Sequence, residues 1–238
     1  MSKNLISVGS HGNNIALYKE FIDNHWLYVK VACDFKSNIL IEREYSGYAW
    51  YFKNILMKEN LIHIHKGAFY ELIIPEFQGE KYSLEGRFYL EQDRMLQIVR
   101  FYKEKWPVND EFAIHGDMGL ANIIFNRDEI MLIDWEHFHK CDHKYYGFDI
   151  INMLFISFYS RIIKGGRKLF DAKTFIRECY RILFDDIAIK SNLMNQPFSK
   201  SKKYLQKFYK GNKNNFNKFV LASFPDDKLN HLDKYITG

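Results

Sequence analysis

The first third of the chain alternates between apolar and polar positions. "LISVG", "NIALYKEFI" and "HWLYVKVA" are short runs of strand type, punctuated by Gly9, Gly12 and "DNH", so residues 5–32 are predicted to form an antiparallel meander. The period then changes. Behind Ser37, the expected N-cap, Ile39, Ile41, Tyr45, Tyr48, Ala49, Phe52 and Leu56 recur near helical spacing, and they predict a helix over 37–59 with Gly47 inside it. "LIHIH" and "FYELIIP" flank a "KG" turn and return to strand type. The pattern to this point is a five-stranded sheet with one inserted helix.

"EFQGEKYS" is a polar joint, and "LEGRFYLEQDRMLQIVRFYKEKW" after it is helical in period. The change divides the chain into residues 1–78, a β lobe, and residues 79–238, a larger mainly helical lobe. One stretch interrupts the helical pattern. In "AIHGDMGLANIIFNRDEIMLIDWE" the apolar runs "NIIF" and "IMLI" stand either side of "NRDE", four polar residues suited to closing a hairpin. From Phe148 the period is helical again.

Carboxylates set against apolar strands are costly to desolvate, so this hairpin needs a reason. A metal, a catalytic task or a plain turn would each supply one. In an antiparallel pair Asn122, at the start of one strand, and Asp134, at the end of the other, fall at the same physical end. A carboxylate and an amide oxygen together suit Mg²⁺, which takes few protein ligands and keeps phosphate oxygens and water. Asp117, on a loop loosened by Gly116 and Gly119, is placed to accept a proton from an attacking hydroxyl. His115 is read as holding that loop by hydrogen bonding.

Composition narrows the class. With 47% hydrophobic and 26% charged residues in 238, the chain is globular and can bury a core. Cys33, Cys141 and Cys179 are odd in number, far apart and form no CxxC pair, so neither a disulfide framework nor a thiolate zinc site is suggested. "HFHKCDH" places His137, His139, Cys141 and His143 at alternate positions, a spacing that cannot surround zinc tetrahedrally. The amino terminus carries no apolar h-region, and "GFDIINMLFISFY" falls short of the roughly 20 residues that span a bilayer; a reducing, cytoplasmic location is expected. "KGGRK" lacks the phosphate-loop frame, and no GxSxG elbow exists.

The net charge of +5 is unevenly placed: eight lysines from Lys190 to Lys218 stand with no acidic residue between Asp186 and Asp226. Such a run favours an anionic membrane or saccharide as a peripheral contact, although a solvated helical face is the plainer reading. Nucleic-acid recognition would rest on this run alone, without a motif.

"HGDMGLAN", with "LIDWE" placing Asp134 twelve residues beyond Asn122, resembles the H-G-D-x-x-x-x-N and I-D-[FW]-E signatures of the aminoglycoside phosphotransferase and choline kinase families, small-molecule relatives of the protein kinases. The resemblance implies a two-lobed α+β fold of protein-kinase type. It implies that ATP is the phosphoryl donor, that Asp117 is the catalytic base, and that Asn122 and Asp134 hold Mg²⁺ on the nucleotide phosphates. It also gives "VGSHGNN", with Gly9, Ser10 and Gly12, as the phosphate-covering loop, Lys30 of "YVKVA" as the strand lysine, and Glu44 as its helical partner in preference to Glu42. "IIPEFQG", with Glu76 and Phe77, is similar to the hinge that binds adenine, and Asp149 to the aspartate that opens a helix and braces the catalytic loop.

Gly116 and Gly119 stand where protein kinases carry an arginine and a lysine, and no A-P-E follows Asp134. These departures imply a small hydroxylated acceptor: a sugar, an amino sugar or an amino alcohol such as choline. An anionic envelope saccharide enters on the charge of the lysine run. Two alternatives stay open: a degenerate nucleotide-binding module without turnover, suggested by His11 in the glycine loop, and a protein-modifying enzyme of the same fold.

Overall fold

A computed structural model describes residues 3–9, 14–81, 89–127, 129–154 and 172–185. Ser10, Gly12 and the lysine run from 190 to 218 lie outside the described residues. The chain divides into two compact units: residues 1–83 with 113–117 and 121–140, and residues 84–112 with 118–120 and 141–238. The hairpin, read from sequence as part of the helical lobe, thus groups with the amino-terminal sheet.

In the first unit β1 (Lys3–Val8), β2 (Ile15–Ile22), β3 (His25–Ala32), β4 (His63–Lys66) and β5 (Tyr70–Pro75) form one antiparallel sheet in the order β1-β2-β3-β5-β4. β2 and β3 are joined by Asp23 and Asn24, both at positive φ, which gives the two-residue hairpin turn the right-handed strand twist favours. The predicted meander and the later strand pair are therefore parts of one sheet, with β5 beside β3.

The inserted helix α1 runs over Phe35–Tyr51 and widens into a π turn at Phe52–Leu56, ending at Met57 in the left-handed conformation. Its N-cap is Asp34, not Ser37. The Asp34 carboxylate accepts the Ser37 N–H at 2.8 Å, and hydrogen bonds from Asn14 and Ser37 hold its pKa below the usual range. The buried stripe also differs from the apolar one. Ser37, Ile41, Glu44, Tyr48 and Tyr51 face inward, whereas Ile39 is 60% exposed, because the stripe follows the lysine that Glu44 meets on β3.

The hairpin is β8 (Ile123–Asn126) with β9 (Glu129–Leu132), and Asn126 pairs with Glu129, so the connection is two residues rather than the four of "NRDE". β6 (Glu80–Lys81), from the polar joint, adds a third strand beside β8. Gly79 enters it at φ +142°, with the Phe125 backbone where a Cβ would stand. The short pair β7 (Ala113–Ile114) and β10 (His139–Lys140) flanks the site loops.

In the second unit α2 (Tyr89–Lys105) packs against α4 (Ala172–Phe184), and helical residues 148–154, α3, begin after Gly147. Its core carries Met95, Ile98, Val99, Tyr102, Phe112, Tyr146 and Leu183, with the Tyr102 and Trp106 rings stacked at 4.5 Å. Asp149 is fully buried within α3. No described helix is long and apolar enough to cross a membrane.

Candidate active site

Lys30 is the centre of the site. It lies on β3, where its Nζ donates to both Glu44 oxygens at 2.8 Å and to Asp134 Oδ1 at 2.6 Å, which ties together residues 14 and 104 positions away. Burial works against the ammonium, but the Asp134 and Glu44 carboxylates outweigh it and hold the Lys30 pKa well above its ordinary value. One cation shared by two carboxylates splits them. Glu44, fully buried, is pushed up to about 7 by desolvation despite Lys30, while Asp134, whose side chain is 39% exposed, is held below the carboxylate range by the Lys30 charge. Glu42 instead meets Lys66 at the surface.

Asp134 stands at φ +66°, a conformation that costs a non-glycine residue about 1–2 kcal/mol and persists only where neighbours impose it. They do so here. Before it, the Ile133 N–H donates to the Asn122 carbonyl at 3.0 Å, extending the hairpin pairing by one residue. The His115 Nε2–H donates to the Ile133 carbonyl at 3.0 Å, and the Asp134 N–H donates to the Tyr48 hydroxyl oxygen at 3.3 Å. After it, the Trp135 indole N–H returns to the Leu132 carbonyl at 2.9 Å.

His115 links this strand end to Asp117. Its Nδ1 accepts the Asp117 N–H at 3.3 Å, which leaves the proton on Nε2 for Ile133 and fixes a neutral tautomer. Burial agrees, lowering its pKa to about 4, and the ring packs 4.4 Å from Trp135. Gly116 turns the chain at φ +87°; a Cβ there would lie 2.7 Å from that of His137 and closer still to its carbonyl. This glycine supplies a fixed turn, where the sequence suggested flexibility.

Burial pushes the Asp117 carboxyl up to about 7, helped by the Asp134 and Glu136 charges and opposed by His137. Asn122 closes a 3-10 turn, Leu120–Asn122, just before β8. Its Nδ2 donates to the Asp117 carbonyl at 3.0 Å and to Asp117 Oδ2 at 3.3 Å. Both partners are acceptors, so the nitrogen must face them and the amide oxygen is left to point elsewhere. That oxygen and the Asp134 carboxylate, at one hairpin end, are hard donors of the kind Mg²⁺ takes. Among the described residues there is no group of three or more His, Cys, Asp or Glu that could hold a metal ion.

The other expected nucleotide contacts are more dispersed. The Gly9 N–H donates to the Ile15 carbonyl at 2.7 Å at the root of the glycine loop. The Glu76 N–H is taken by the Trp26 carbonyl at 2.9 Å, and its carboxylate by Lys19 at 2.6 Å and Tyr28 at 3.1 Å. Phe77 is half-buried with its ring 6.4 Å from Phe52. Sequence reasoning placed Tyr48 only as part of an apolar stripe and did not assign Arg43, whose Nη1 donates to the Glu136 carbonyl at 3.3 Å. No local signal marks either contact, because their partners are 86 and 93 residues away.

No protein-family model matches the chain, and no curated protein matches it. Among solved structures, one described as WaaP in complex with acyl carrier protein is similar over 98% of this chain and 89% of that one, at TM-score 0.50 and 10% identity. The spectinomycin phosphotransferase APH(9)-Ia, in complex with ADP and spectinomycin, covers 94% of both chains at TM-score 0.39 and 11% identity. The first likeness shows the fold. It is the α+β, protein-kinase-like two-lobed class that the aminoglycoside phosphotransferase resemblance implied.

Proposed function

We propose that this chain is a phosphotransferase that moves the γ-phosphoryl group of ATP to a hydroxyl of a small molecule. The observation that carries the reading is the Lys30 ammonium held between Glu44 and Asp134 at the hairpin end that also bears Asn122 and Asp117. Phosphoryl transfer asks little covalent chemistry of a protein; it needs in-line positioning and charge neutralisation.

Each residue then has a task. Lys30 neutralises phosphate oxygens and is kept charged and aimed by Glu44. Asn122 Oδ1 and the Asp134 carboxylate hold Mg²⁺, which when bound neutralises the phosphates further. Asp117 accepts the acceptor hydroxyl proton as that oxygen bonds to the γ-phosphorus and the bond to the leaving ADP oxygen breaks. Its carboxyl, near 7, suits general-base work close to neutral pH. Asn122 and His115 fix its position from either side. The acceptor class, a sugar, amino sugar or amino alcohol, rests on the glycines that replace the protein-kinase arginine and lysine.

The test is ATP turnover with and without Mg²⁺ across a panel of amino alcohols, sugars and aminoglycosides. Asp117→Ala is expected to lower kcat by about 10²–10⁴-fold while nucleotide still binds. Nucleotide binding without turnover on any acceptor favours the degenerate module, and a chain that binds no nucleotide sinks the reading.

A further inference from the structure

We infer that Tyr48 is a positioning residue for the cation site: its buried hydroxyl holds the Asp134 peptide in the left-handed conformation that aims the carboxylate. This rests on the proposed role of Asp134 as a metal ligand. Tyr48 and Glu44 are four residues apart on α1 and so share one helix face. Through them α1 grips Asp134 twice. Glu44 acts on the side chain by way of Lys30, and Tyr48 acts on the backbone by accepting the Asp134 N–H at 3.3 Å.

Peptide position and side-chain aim are linked at this residue. The neighbouring peptides are held by Asn122, His115 and the Trp135 indole, but Tyr48 supplies the bond to the Asp134 N–H itself. The Tyr48 ring is buried, 6.4 Å from that of Trp135, so the oxygen cannot be removed from the peptide by a simple rotation of an exposed side chain. Burial, with the Glu44 charge beside it, raises the phenol pKa well above its ordinary value, which keeps the group a neutral hydroxyl. The hydroxyl accepts from Asp134 through a lone pair, and its own proton does not compete for that bond.

Groups that orient a metal ligand without touching the metal typically change affinity by about 10–100-fold when removed. Tyr48→Phe deletes one oxygen and keeps the ring. The probe is Mn²⁺, read by loss of its free electron paramagnetic resonance signal, titrated into protein saturated with ADP. The expected result is Mn²⁺ affinity weaker by about tenfold, with ADP binding in EDTA unchanged. Mn²⁺ affinity equal to that of the unsubstituted chain, or loss of ADP binding in EDTA to the same degree, overturns the inference and leaves Tyr48 a core residue. An unsubstituted chain that takes up no Mn²⁺ with ADP overturns the cation site itself, and the inference with it. Should Tyr48→Phe fail to fold by near-ultraviolet circular dichroism, 3-fluorotyrosine at position 48 decides. It keeps the hydroxyl but weakens the oxygen as an acceptor, and unchanged Mn²⁺ affinity there is equally fatal.

Discussion

His115 shows how one side chain can serve both geometry and stability. Its ring accepts from Asp117 and donates to Ile133, so it must stay neutral, and burial lowers its pKa from 6.5 to about 4. The sign follows from proton counting. The unfolded chain protonates this histidine below about 6.5 and the folded chain does not, so its contribution is complete above that pH and is lost as pH falls toward 4. The loss is on the order of 3 kcal/mol. Glu44 and Asp117 act oppositely over the same window, because burial raises both to about 7 and acid relieves that cost. A difference isolates the histidine. The stability of the unsubstituted chain minus that of His115→Gln, from urea unfolding, is expected to shrink as pH falls from 7 to 4; a flat difference counts against a buried neutral His115.

At the scale of elements the telling contact is between α1 and the segment after β9. Gly47 sits inside α1, where alanine is worth up to about 1 kcal/mol more to a helix. Helix propensity does not win here. An added Cβ would lie 2.6 Å from the Trp135 Cβ, an atom next to the backbone that no side-chain rotation can move. Trp135 is itself fully buried among Tyr48, Trp50, Tyr51, His115 and Phe138. Overpacking of this kind costs about 1–3 kcal/mol, so Gly47→Ala is expected to lower net stability by about 1–2 kcal/mol. Because Trp135 adjoins Asp134, phosphotransfer should fall with it. An unchanged melting temperature would mean that the helix and the segment can part without penalty.

For the molecule as a whole, the proposed function links ligand and fold through the first unit, which holds Lys30, Glu44, Asp117, Asn122 and Asp134. A ligand that binds only the folded chain stabilises it by mass action, by about 2.7 kcal/mol at one hundred times its Kd. ADP with Mg²⁺ is therefore expected to raise the melting temperature of the unsubstituted chain. The cation-dependent part of that rise should vanish in Asp134→Asn, measured by calorimetry with Mg²⁺ or with EDTA. A rise that is the same with and without the cation argues against the hard donor set at the hairpin end.

The sequence by itself determined what short range controls. Alternation marked the strands, the change of period marked α1 and the helices beyond Gly79, and fixed spacings marked Asp117, Asn122 and Asp134, since a hairpin brings the last two to one end whatever surrounds it. The choice of Glu44 over Glu42 as the partner of Lys30 rested on the family resemblance; in the structure Lys30 meets Glu44, and Glu42 meets Lys66. Only the tertiary structure decided the rest. Asp34 capped α1 because its carboxylate reaches the Ser37 N–H, and β6 became a strand because β8 offered it an edge. Tyr48 gained a polar task because Asp134, 86 residues on, needed its N–H satisfied at a positive φ. Such contacts join segments far apart in the chain, and their strength comes from burial and close approach, which local pattern does not encode.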